Sequence, residues 1–176
     1  MTEEQQPKKV AMEVQGSVQV QADVEMVLRS PKVETGRILT LERTINLKDT
    51  IMTKGKELMC KGTGGDTAGA GTPAAKYIAL GTSAVAVTGT QTKLYGEFTG
   101  AGRRILGSFV YPAGSSYYRL YRTFQAGTCT GAIVEWGMFN KQGAGTPATM
   151  LNRGTFPVIN KGASDTLQVT GRVTFT

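Results

Sequence analysis

"VAMEVQGSVQVQADVEMVL", residues 10–28, places an apolar side chain at every even position except Gly16: Val10, Met12, Val14, Val18, Val20, Ala22, Val24, Met26 and Leu28. The odd positions from Glu13 to Glu25 are all polar or acidic: Glu13, Gln15, Ser17, Gln19, Gln21, Asp23 and Glu25. Period-two alternation separates the two sets onto opposite faces of a β-strand. At about 3.3 Å per residue such a strand would run roughly 60 Å, whereas a domain of this size is roughly 30–35 Å across. The expectation is an extended N-terminal arm, residues 1–36, whose apolar face packs against another subunit. It runs as one strand or folds back near Gly16-Ser17 or Ala22-Asp23. Removing residues 1–30 is then expected to leave the rest folded.

Outward from the arm, residues 37–176 hold one domain's worth of chain. Hydrophobic residues make up 40% of the 176, and the 23 glycines favour many turns over long helices. Pro31 is expected to end the first alternation. A second strand follows on Leu39, Leu41, Ile45 and Leu47. Asp49 is placed to cap a short helix over about residues 49–61, weakened by Gly55 and followed by a Gly-rich loop, residues 62–76. Strands are then expected at 76–82, 104–112, 116–124, 131–140, 149–159 and in the final alternation, with Leu167, Val169, Val173 and Phe175 on one face. The fold class expected is all-β, a β-sandwich or jelly-roll-like domain with one short helix and the N-terminal β arm.

The chain has no histidine, which removes the commonest general base, the usual zinc ligand and every Ser-His or Cys-His pair. "GTGGDTAGAGTPAAK", residues 62–76, lacks the spacing of a phosphate-binding loop. The carboxylates Asp49, Asp66, Glu97, Glu135 and Asp165 are scattered. A non-catalytic protein without metal or cofactor is expected. Cys60 and Cys129 lie far apart without a CxxC and are read as two buried thiols.

No apolar run reaches the ~20 residues of a membrane span, and "MTEEQQPKK" is not a signal peptide. The net charge of +7 is uneven: residues 1–36 carry four Lys/Arg against six Asp/Glu, and residues 37–176 carry sixteen against seven. The basic residues are dispersed, so nucleic acid is not expected; an acidic arm meeting a basic neighbour fits the balance better. Tyr117, Tyr118, Tyr121, Phe124, Trp136 and Phe139 are read as core and cross-strand packing, with an aromatic sugar-binding platform as the alternative. Glu135 alternates with Ile133, and in an apolar setting its carboxylate needs backbone donors or a cation, for which Arg103, Arg104 and Arg153 are candidates.

From residue 49 onward, several short segments recur in a familiar order. They are Tyr77-Ile78-Ala79-Leu80-Gly81-Thr82, then Thr92, Leu94, Glu97 and Arg103 or Arg104. Ile133, Glu135, Gly137, Phe139 and Asn140 follow, then Leu151, Arg153, Phe156-Pro157-Val158, Lys161, Leu167, Val169, Val173 and Phe175. This order resembles tailed-phage structural proteins, in particular tail-collar fibre and tail-fibre N-terminal domains. Met138 stands where that pattern has Leu, residues 83–87 lack its Pro, and residues 1–36 have no counterpart in it.

The resemblance implies a structural component of a virion, made in the host cytoplasm: an oligomeric tail or neck (collar or fibre-attachment) protein acting by subunit–subunit contacts. Its partners would be copies of itself and other virion proteins, with no membrane. Capsid decoration is the first alternative and a carbohydrate-binding module the second. Subunit contacts are expected at Val10, Met12, Val14, Val18, Val20, Val24, Met26 and Leu28. Structural roles within the motif are expected at Gly81, Thr82, Glu97, Arg103, Glu135, Gly137, Phe139, Arg153 and Pro157.

Overall fold

The computed structural model describes residues 19–34, 37–56, 59, 75–100, 103–142 and 148–176. Nine strands follow in chain order: β1 (Val20–Glu34), β2 (Arg37–Ile51), β3 (Tyr77–Gly81), β4 (Ile105–Leu106), β5 (Ser108–Val110), β6 (Tyr117–Phe124), β7 (Gly131–Phe139), β8 (Met150–Lys161) and β9 (Thr166–Phe175). All pairings are antiparallel, and the spatial order is β4-β3-β7-β8-β2-β1-β9-β6-β5. The sheet curls into a nearly closed barrel with one short helix.

Closure comes from one residue. The two ends of the sheet order, β4 and β5, are consecutive in the chain, with only Gly107 between them. The strand expected over 104–112 is thus two short strands that leave one sheet edge and join the other. Gly107 donates its N–H to the Lys76 carbonyl at 2.8 Å, and a Cβ there would lie 2.7 Å from Leu120 Cγ. Only glycine lets the backbone turn that close to a core side chain.

The arm expected over residues 1–36 is corrected for its described part. β1 pairs with β2 from Ala22↔Asp49 to Glu34↔Arg37 and with β9 from Val20↔Phe175 to Arg29↔Thr166. Ala22, Val24 and Met26 are buried within the chain's own core, beside Leu167, Val169 and Val173 of β9. The described part of the expected arm is therefore a strand of the sheet, paired on both sides. Alternation identified the strand and its apolar face, but not whose core that face enters. Removing residues 1–30 takes out a strand with partners on both sides, and such a chain is expected to lose its β-sheet circular dichroism signal. Val10, Met12, Val14 and Val18 lie outside the described residues.

Pro31 does not end β1; it pairs with Thr40 well inside the strand. A proline has no N–H to give a ladder, and it is tolerated where its nitrogen faces an unpaired side. The β9 ladder stops at Arg29, so among the described residues no strand lies on the far side of β1 at Pro31.

β2 continues through Asp49 to Ile51, so Asp49 is a strand residue and not a helix cap. Helical backbone is described over residues 53–56, with Lys56 N–H bonded to the Met52 carbonyl at 3.0 Å. Gly55, which weakens the helix as an isolated element, lies so close to the Leu151 carbonyl that no Cβ fits. Of the Gly-rich loop, only residues 75 and 76 are described.

The main core joins Val24, Met26, Ile78, Leu80, Leu120, Phe124, Ile133, Trp136, Met138 and the inward residues of β8 and β9. β9 keeps its alternation through Gly171, where a Cβ would meet Trp136 Cη2 at 2.7 Å and Met138 Sδ at 3.0 Å. The indole occupies the space a side chain would fill. β7 is buried on both faces: a second cluster, Met52, Ala79, Leu94, Phe139 and Met150, covers its other side. A register shift between Ile133 and Glu135 exchanges the faces, so Ile133 and Trp136 share the main core while Glu135 points away from it.

Candidate functional site

The face of β7 turned away from the main core carries Glu135, fully buried and opposite the loop that follows β3. Its Oε1 accepts the Gly96 N–H at 2.6 Å. Its Oε2 accepts the Tyr95 N–H at 3.3 Å and two bonds from Arg153, Nε at 2.9 Å and Nη2 at 2.7 Å. Arg153, on the neighbouring β8, is equally buried. Its Nη1 reaches Gln91 Oε1 at 2.9 Å, and its guanidinium lies 5.3 Å from the Tyr95 ring centre. A buried pair is favourable only when the remaining donors and acceptors are satisfied, and here backbone and Gln91 satisfy them. The node's effect is mechanical: it fastens residues 91–96 to the sheet.

The motif glycines fit this arrangement by absence of volume. A Cβ on Gly81 would sit 2.5 Å from Glu135 Oε1 and 2.8 Å from the Gly96 carbonyl oxygen. Thr82 then donates its N–H to that carbonyl at 2.9 Å, and Gly81 bridges to Glu97. At Gly137 a Cβ would lie 2.8 Å from the Asn152 carbonyl oxygen and 3.3 Å from Leu94 Cδ2. Gly137→Val is expected to cost more than about 2 kcal/mol through this backbone clash, read as a lowered urea midpoint.

Glu97 makes a second pair. Arg104 reaches it through two parallel bonds, Nε–Oε1 at 2.8 Å and Nη2–Oε2 at 3.0 Å, while its guanidinium stacks 4.0 Å from the centre of the buried Phe139 ring. Arg103 Nε stands 3.7 Å from the same carboxylate. Of the three arginines considered for Glu135, Arg153 serves it, and the other two serve Glu97. Pro157 is exposed on β8 and joins neither node.

Asp49 was assigned to a helix end, and the sequence carried no signal for its actual setting. Near the β2–β8 seam it accepts the Trp136 indole N–H at 3.0 Å and the Asn152 amide at 3.2 Å. Burial pushes its carboxyl up to about 7, against the lowering effect of those two bonds. Burial likewise raises the Cys129 thiol to about 11; Cys60 lies outside the described residues. Among the described residues no cluster of three or more His, Cys, Asp or Glu is arranged to hold a metal ion. No helix among them is long and apolar enough to cross a membrane.

The aromatic residues do not gather on one outer face. Trp136, Phe124 and Phe139 are fully buried, and Tyr118 packs against Phe109 and Phe175. On the outside of β2-β1-β9-β6, a groove of about 560 Å³ is lined by Asp23, Lys48, Tyr117, Arg119 and Arg172 among others. The Arg172 guanidinium lies 4.1 Å from the centre of the Tyr117 ring.

The most exposed apolar surface is on the β1–β2 hairpin. Past the last β9 partner, Arg29, five residues of β1 continue with β2 as their sole strand partner among the described residues, roughly 17 Å of ribbon. Val33 and Ile38 face each other there, 72% and 77% exposed, and Leu39 and Leu41 are exposed on the opposite face. Arg29 pairs with Glu42 and donates to Gln168 Oε1 at 3.1 Å, bracing the base of the ribbon against β9. Of the expected contact residues, Val24 and Met26 are core, while Val20 and Leu28 are half-buried against it. The exposed apolar side chains therefore lie farther along the hairpin than the alternation indicated. Comparison with protein-family models, with curated proteins and with solved structures found no match.

Proposed function

We propose that the chain is a non-catalytic structural component of a phage virion, an oligomeric tail or neck protein that works through contacts with copies of itself and with other virion proteins. The observation that carries the reading is the projecting hairpin. A two-stranded ribbon bearing Val33, Ile38, Leu39 and Leu41 in water is marginal alone and gains stability from a partner that covers it. The motif resemblance supports the virion assignment, because Gly81, Glu135 and Arg153 form one connected node rather than scattered matches. In this reading the barrel is a flattened, sandwich-like domain, supported by Trp136 of β7 lying directly over Gly171 of β9.

A carbohydrate-binding role has less support, since the largest aromatic side chains are core. The test is location and mass. Antibody raised against the purified chain should label the tail or neck of intact particles, and light scattering should give an oligomer. Label over the capsid faces would favour a decoration protein. Failure to label any particle, together with a monomeric mass, would refute the virion assignment.

A further inference from the structure

β2 presents an open edge. On one side it pairs with β1 from Arg37 to Asp49; on the other, only Thr50 and Ile51 meet β8. Among the described residues, the outer backbone groups of residues 38–48 have no strand beside them, and no other backbone bond from these residues reaches them. The edge is about 36 Å long at about 3.3 Å per residue. "ILTLERTINLK" contains neither proline nor glycine, and a single lysine stands at its end. Natural sheets shield edges with prolines, bulges, inward charges or very short strands, so an edge this long and regular is a template for another strand.

We propose that residues 10–18 of one copy add as a β-strand to residues 38–48 of a second copy. The inference rests on the reading of the chain as an assembly subunit and names the contact. Residues 10–18 lie outside the described residues, but their sequence fits the edge on three counts. Nine residues match an edge of eleven in length. Both are period-two, so Val10, Met12, Val14, Gly16 and Val18 extend the face of Leu39, Leu41, Arg43, Ile45 and Leu47, where the small Gly16 leaves room for the arginine. Glu13, Gln15 and Ser17 then extend the face of Thr40, Glu42, Thr44, Asn46 and Lys48.

The third count is position. Gln19 exchanges backbone bonds with Thr176, at 2.6 and 2.8 Å, which sets the start of β1 beside β9. β1 itself lies between that ladder and β2. A chain leaving Gln19 would have to double back across β2, past its junction with β8, to reach its own open edge. A second copy has no such detour. Donor and acceptor are different surfaces, so the contact repeats head to tail or closes by reciprocal exchange.

The test uses the full chain. Val14→Pro removes one ladder donor and distorts the donated strand, while Gln5→Pro places the same residue outside it. Self-association is measured by sedimentation equilibrium and the outward amides of residues 38–48 by hydrogen exchange. The wild type should self-associate with those amides protected. Val14→Pro should weaken association about a hundredfold and abolish the protection while the melting temperature of the diluted monomer is unchanged, and Gln5→Pro should do neither. Association with residues 38–48 exchanging freely, or unaffected by Val14→Pro, overturns the proposed contact and leaves the assembly reading standing. Protection that survives dilution to monomer overturns exchange between copies, showing that the edge is covered within one chain. A wild type that stays monomeric at every concentration overturns both readings.

Discussion

Arg153→Met is expected to lower the unfolding free energy by about 3–5 kcal/mol. The substitution leaves the volume largely filled but strips Glu135 of two of its four hydrogen bonds in a site with no exposure to water. The remaining donors, the Gly96 and Tyr95 amides, belong to the very loop the arginine helps to fasten. Loss of the cation therefore also loosens residues 91–96, since Gln91 keeps its bonds to Thr88 and Ala86 but loses the one that ties it to β8. Glu135→Gln made in the same chain should recover part of the loss, because an amide is less costly to bury than an unpaired carboxylate. Urea denaturation of the single and double variants reads both effects. A single-variant cost below about 1 kcal/mol would mean that the pair does not hold the loop.

Stability should fall as the solution is made less acidic, and Asp49 should be the reason. Its carboxyl titrates near 3.8 in an unfolded chain and at about 7 in the barrel, where burial is the largest cause. The folded protein thus holds a proton that the unfolded chain has released. Below about pH 4 both states are protonated and the contribution is fully present. Between about pH 4 and 7 it is lost at about 1.4 kcal/mol per pH unit, to a total of about 4 kcal/mol, and above that it is level. The comparison with Asp49→Asn isolates the effect. The asparagine keeps an acceptor for the Trp136 indole but turns an amide toward Asn152. At pH 8 it is expected to be more stable than wild type by about 2–3 kcal/mol, and at pH 4 less stable by about 1–2 kcal/mol. Equal pH dependence in the two proteins would show that Asp49 ionises freely.

Most strands were legible from alternation because period two survives wherever one face is buried. β3, β6 and β9 fall where expected, and the gap at Gly171 becomes intelligible once Trp136 is seen above it. Two kinds of information were not in the local pattern. One is pairing: residues 20–34 read equally well as an arm on a neighbour or as a strand of the chain's own sheet, since β9 lies at the far end of the sequence. The other is irregularity. Gly107 divides one apparent strand between two sheet edges, and the register shift after Ile133 turns Glu135 to the opposite face. For the buried node, the need for a cation beside Glu135 followed from its apolar setting, but three arginines satisfied that need equally. Only the adjacency of β7 and β8 selects Arg153. Asp49 was hidden because an aspartate before an apolar run is an ordinary helix start, and its partners Trp136 and Asn152 are distant in sequence.

The long hairpin has a consequence for synthesis on the ribosome. β1 and β2 form from neighbouring residues and can pair as soon as both emerge, on the microsecond scale of hairpin formation. The strand that flanks β1 on its other side, β9, is translated last. At about 5–20 residues per second, the interval from Ile51 to Thr166 lasts roughly 6–23 s. Throughout that interval Ala22, Val24 and Met26 have no core to enter, and both margins of the ribbon are open to other nascent chains. Dense polysomes would bring such ribbons together before any barrel could close, so productive folding depends on keeping them apart until the final strand arrives.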